Sequence, residues 1–169
     1  MKSIKRLAFL SMMLALAIVL NIVESFLPVF IPGVKLGLAN IIILILLYEF
    51  SSVEAFWVDV LRIVLVGLIR GTFLSPTFFM SLSGGILSYL VMLIFSKINC
   101  FSVIGVSVLG AISHSVGQIA VAIWLLGTSA VIYYLPWIAL LSVLTGILSG
   151  IITRLYLKRN ITGLFLKKQ

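Results

Sequence analysis

The sequence contains one histidine, His114, set in an otherwise apolar stretch, FSVIGVSVLGAISHSVGQIAVAIW at 101–124. On a helix, Ser107, Gly110, Ala111, His114, Gly117, Gln118 and Val121 fall at spacings of three and four and share one face. That face is small and polar, whereas the remainder is Val, Ile, Leu and Trp. Such a helix turns its apolar side to lipid and its small side toward other helices or a cavity. Histidine and glutamine at mid-membrane depth are expensive unless partnered, so His114 and Gln118 mark a buried polar site. Two uses stay open for His114: contact with a ligand or proton, or an interhelical hydrogen bond, for instance to Asp59 or a serine.

The second candidate is VEAFWVDVLRIVLVGLIRG at 53–71, where Asp59 and Arg62 stand three residues apart and can pair on one helical face. Neither charge can be buried alone at tolerable cost. The pair is either a structural ion pair or a site in which Arg62 also attracts an anionic ligand. Arg70 reads as an interfacial anchor or as lining for the mouth of a site. Together with Lys35 it leaves that end positive, which draws anions by long-range attraction. Asn40, in KLGLAN, suits either ligand contact or satisfaction of a broken helix backbone. Glu24, Glu49 and Glu54 lie near the ends of apolar stretches, where interfacial solvation accounts for them. The expected ligand-binding set is therefore Asn40, Arg62, Arg70, His114 and Gln118, with no catalytic and no metal-binding residue.

Several chemistries are poorly supported. One histidine cannot build a zinc site without carboxylates nearby, and no paired-histidine motif is present. Prenyl-chain synthesis through magnesium needs clustered aspartates around a diphosphate, and this chain has a single aspartate. There is no Walker-type glycine loop, so ATP-driven action requires a partner protein. One cysteine, Cys100, excludes an internal disulfide and a cysteine-built cluster. The expectation is a protein that is not an enzyme and carries no cofactor of its own.

The elements that must position these residues follow from composition. Of 169 residues, 63% are hydrophobic and 9% charged, and the mean hydropathy is +1.34. A soluble domain carries about 25% charged residues, so the chain reads as an all-α, polytopic integral membrane protein. No polar stretch suffices for a second folded unit, which leaves a single transmembrane domain over 1–169. The net charge of +8 comes from basic residues between apolar runs and at the termini. That placement fits the positive-inside rule and not a nucleic-acid surface.

Six spans are expected, at about 4–27, 36–48, 53–69, 76–95, 101–126 and 131–157. The first resembles a signal peptide but continues as an uncleaved helix until Pro28 and Pro32 break it. The linker PVFIPGVKLG at 28–37 is apolar enough to dip back into the membrane. The second span is shorter than the ~20 residues of a perpendicular crossing. With both termini cytoplasmic, nine basic residues lie inside (Lys2, Lys5, Arg6, Lys97, Arg154, Lys158, Arg159, Lys167 and Lys168) and two outside. Tyr133, Tyr134 and Trp137 then reach the outer interface, and the sequon at Asn160 is cytoplasmic and carries no weight. Ser81, Gly84, Gly85 and Ser88 on the fourth span, and Ser142, Thr145, Gly146, Ser149 and Gly150 on the sixth, allow close helix packing. They serve packing alone or also wall a cavity. Ser11 and Ala15 give the first span a face for docking another membrane subunit.

The strings IPGVKLGLAN, LRIVLVGLIRGTFLSPTFFMSLSGGILSYLVM, FSVIGVSVLGAISHSVGQ and YYLPW resemble the Gx transporter family, often labelled heptaprenyl diphosphate synthase component I. The resemblance runs over about 32–150. That family is similar in size and hydropathy to the S components of energy-coupling factor (ECF) vitamin transporters. It implies a six-helix, ECF S-component-like membrane protein with both ends cytoplasmic, working with a transmembrane T subunit and ATPase subunits. The Ser11–Ala15 pair departs from the alanine-x-x-x-alanine docking motif of many S components. The resemblance also implies a second reading, a membrane subunit or scaffold beside flavin or quinone redox proteins of extracellular electron transfer in Gram-positive bacteria. The preferred expectation is a subunit that captures a small anionic or amphipathic substrate from outside, between the third, fifth and sixth helices and the linker after the first. The lipid bilayer is its other partner, and nucleic acid is not one.

Overall fold

A computed structural model describes residues 2–26, 37–98 and 100–159. Pro28, Pro32, Lys35, Asn160, Lys167 and Lys168, and most of the linker, lie outside the described residues. The described chain is helical: α1 (Lys2–Glu24), α2 (Asn40–Glu49), α3 (Ser52–Ile69), α4 (Pro76–Ser96), α5 (Val103–Leu126) and α6 (Leu135–Arg159), the last preceded by a 3₁₀ turn at Ser129–Tyr134.

Local sequence explains the boundaries. Ser51 opens α3 with a reciprocal capping box: its Oγ accepts from the Glu54 amide, and the Glu54 carboxylate accepts from the Ser51 amide. Ser75 caps α4, where Pro76 fills the first helical position that has no need of an N–H. Ser102 caps α5, and Gly127 ends it at a left-handed φ of +63°, open to glycine at no steric cost.

Four helices are long and apolar enough to cross a membrane, over Ile4–Glu24, Pro76–Ser96, Val103–Leu126 and Ser129–Arg159. The six-span expectation therefore resolves into six helices of which four have clear spanning character. α3 has 18 residues but carries Glu54, Asp59 and Arg62 among them. α2 has 10 residues, about 15 Å of helix, half of a ~30 Å hydrocarbon core.

α2 is apolar all round rather than amphipathic, and residues Asn40 to Leu46 are buried without interruption. A helix of that kind belongs in a core. It touches α1, α3, α4, α5 and α6, and so sits at the centre of the bundle. Around it pack Phe9, Met13 and Ala17 of α1, Val58 of α3, Tyr89 and Met92 of α4, and Val106 of α5. The outward surface is apolar, with Ile4, Leu16, Val23, Trp57, Ile94, Leu144 and Leu155 exposed as lipid would require. Trp124, Tyr133, Tyr134 and Trp137 are exposed at one end, the placement interfacial rings favour. At the other end Arg6 reaches Glu54 at 2.6 Å, an exposed pair of small energetic weight.

The small residues on α4, α5 and α6 bring these helices into backbone contact. A methyl group on Gly117 would lie 2.9 Å from the Ser83 carbonyl oxygen, and one on Gly150 would lie 2.6 Å from Ile104 Cα. Because backbone cannot swing aside, Gly117→Ala and Gly150→Ala are each expected to cost about 1–3 kcal/mol, whereas Gly105→Ala, with nothing nearer than 3.5 Å, leaves stability unchanged. Thermal unfolding of the detergent-solubilised variants separates the two classes.

Candidate functional site

α3 places Asp59 and Arg62 on its inner face, where they are 1% and 2% exposed. Arg62 Nε donates to Asp59 Oδ1 at 2.7 Å, and Nη2 approaches the same oxygen at 2.6 Å. Nη2 also donates to Asn40 Oδ1 at 3.0 Å, and Asn40 Nδ2 donates to Ser88 Oγ at 2.9 Å. A continuous polar chain thus runs from α3 through α2 to α4. Each member answers a need of the next, because a guanidinium buried this deeply is tolerated only when charge and hydrogen bonds are both satisfied. The other Asp59 oxygen faces Gly85 of α4, where a methyl group would stand 3.2 Å from it.

A second polar pair lies on α5, one helix away. Gln118 Nε2 and His114 Nε2 are 2.5 Å apart, both side chains buried. The ring and the amide are hydrogen-bonded, with donor and acceptor set by the tautomer of the ring. Gly84 makes room for this pair: a methyl group there would lie 2.9 Å from Gln118 Cγ and 3.1 Å from His114 Cε1. The two polar groups meet at the end of the linker. At Gly37 a side chain would stand 3.0 Å from Asn40 Nδ2 and 3.6 Å from His114 Cδ2, and its φ of +86° itself demands glycine. Glu24 of α1 holds this segment, its carboxylate accepting from the amides of Gly37 and Leu38.

Of the expected site residues, the structure joins Asn40 and Arg62 directly and sets His114 and Gln118 beside them across Gly37. Arg70 is elsewhere. It is exposed at the C-terminal end of α3, eight residues beyond Arg62, or about 12 Å along the axis. Lys35 lies outside the described residues. His114 has a hydrogen bond to Gln118, one turn along its own helix.

The surrounding helices are corrected. The side chains of the cluster come from α2, α3, α4 and α5, while α6 packs against α2 and against α5, where Ser142 Oγ is 2.6 Å from Ser115 Oγ. Glu24 was expected at a solvated interface but is 2% exposed. Asn21, three residues earlier on the same face, is buried with it, and that polar pairing at the end of an apolar helix was the available signal. Among the described residues, no three His, Cys, Asp or Glu side chains converge as a metal ion requires.

The family model described as heptaprenyl diphosphate synthase component I matches residues 13–156. No curated protein and no solved structure matches the chain.

Removing one member of the buried ion pair strands the other. Asp59→Asn and Arg62→Gln are each expected to lower stability by about 3–5 kcal/mol, and the double variant by clearly less than the sum. Asn40→Ala, which leaves hydrogen-bonding groups of Arg62 and Ser88 unmet, is expected to cost about 1–3 kcal/mol. A double-mutant cycle read by denaturation in detergent measures both effects.

Proposed function

The chain belongs to the heptaprenyl diphosphate synthase component I family, and from that premise we propose that it is a substrate-binding membrane subunit and not a synthase. The observation that carries this reading is the polar cluster buried between helices. Asp59, Arg62, Asn40, Ser88, His114 and Gln118 supply a cation, an anion, two amides, a hydroxyl and an imidazole within a largely apolar bundle. Ionisable groups at such depth are costly, pair with one another and mark substrate or ion pathways.

The chemistry of the cluster favours recognition. Its one aspartate pairs with Arg62, and a single carboxylate falls short of the set of oxygen ligands that magnesium on a diphosphate requires. Arg62 offers guanidinium N–H groups suited to a carboxylate or phosphate, and His114 and Gln118 add neutral polar contacts. A small anionic or amphipathic solute fits this mixture. The low dielectric of the apolar surroundings strengthens each polar contact.

The reading extends to an S component of an ECF-type uptake system. In that arrangement the chain has both termini cytoplasmic, α2 acts as a short internal segment, and the linker end at Gly37 closes over the site. The energy comes from ATPase subunits through a T subunit. Ser11 and Ala15 support a docking role for α1, since both are exposed and lie one turn apart.

Co-purification in mild detergent tests the assembly. Recovery of a T subunit and ATPases is expected, whereas recovery of flavin- or quinone-bearing proteins in their place overturns the uptake role. For the site itself, His114→Ala and the Asp59→Asn, Arg62→Gln double variant are expected to fold yet to lose on the order of tenfold or more in substrate affinity. A scaffold would lose stability alone.

A further inference from the structure

Ser81 of α4 is 6% exposed, and its Oγ has no hydrogen-bond partner among the described residues. A hydroxyl left this way inside a bundle calls for an occupant. Ser81 borders a cavity of about 10 Å³ beneath the α3–α4 turn, with Thr72, Thr77, Phe78 and Ile63 among its other walls. That is the volume a single water molecule needs, and three of the walls carry hydroxyls.

The cavity lies in line with the buried cluster. Ser81, Gly85 and Ser88 follow one another at spacings of four and three and form one face of α4. Ser88 bonds Asn40, and Gly85 faces the free side of Asp59. Between cavity and ion pair stands Ile63. It is buried, lines the cavity, and lays its Cδ1 2.6 Å from where a methyl group on Gly85 would be. Above the cavity, Leu74 holds a φ of +59°, a costly backbone state for leucine that rearrangement of the turn would relieve.

We propose that the α3–α4 turn is the mouth of a hydrated path to the cluster, in which Ser81 contacts water and a small hydrophilic solute and Ile63 is the apolar plug. The path deepens the substrate-binding reading and rests on it. It opens at the end of the bundle opposite the Arg6–Glu54 pair.

The test uses single cysteines at Thr77, Ser81 and Ser88 in a chain carrying Cys100→Ala, in sealed vesicles. The probe is a small membrane-impermeant thiosulfonate applied from either side. Thr77→Cys is expected to react quickly and Ser81→Cys slowly, both from the side opposite the N-terminus. Adding Ile63→Ala is expected to raise the Ser81→Cys rate on the order of tenfold and to expose Ser88→Cys. Ile63→Val, a smaller trim that keeps the packing, should give an intermediate rate. If Ser81→Cys stays unreactive with either Ile63 variant, or reacts from the N-terminal side, the path is refuted. The substrate-binding reading then still stands or falls on the affinities of the His114 and Arg62 variants, which need no labelling.

Discussion

A guanidinium without water must find a carboxylate and hydrogen-bond acceptors, and Arg62 imposes that condition on the whole bundle. Asp59 answers the charge from the same helix. Asn40 answers the remaining N–H from α2. Once Asn40 accepts from Arg62, its own amide protons need an acceptor, and Ser88 of α4 supplies one. Three helices are thereby fixed in height and rotation relative to one another, because a displacement of one turn would strand a buried charge.

α2 has the central place because it has no other place to go. It is too short to span a bilayer, and apart from Asn40 its buried run is aliphatic. Surrounded by five other helices, it delivers Asn40 to the interior and lets the linker end come down over His114. The close approaches of α4 to α5 and of α5 to α6 rest on glycines and serines rather than on large interlocking side chains. That is the usual solution where lipid removes any hydrophobic drive for helices to associate.

The polar groups divide into two sets. Asp59, Arg62, Asn40 and Ser88 are bound into one chain of contacts, so using them for a ligand means exchanging existing bonds. His114 and Gln118 form a second set, hydrogen-bonded one turn apart along α5. The Glu24 carboxylate, holding the amides of Gly37 and Leu38, governs how firmly the linker end covers this region.

Membrane residence, the helical class, the near-exact extent of α3, α4 and α5, and the polar faces of α3 and α5 were legible in the order of residues alone. These follow from hydropathy, capping residues and the 3.6-residue period, which act within a few turns of chain. The residue order also singled out Asn40, Arg62, His114 and Gln118, because polar groups in apolar helices are conspicuous on composition alone. Four features needed the packed bundle: that α2 is an internal helix, that α4 contributes Ser88 to the cluster, that Arg70 stands apart, and that Glu24 is buried. Each of those depends on which helix faces which, and periodicity gives a helix its inner face without naming the neighbour it meets there.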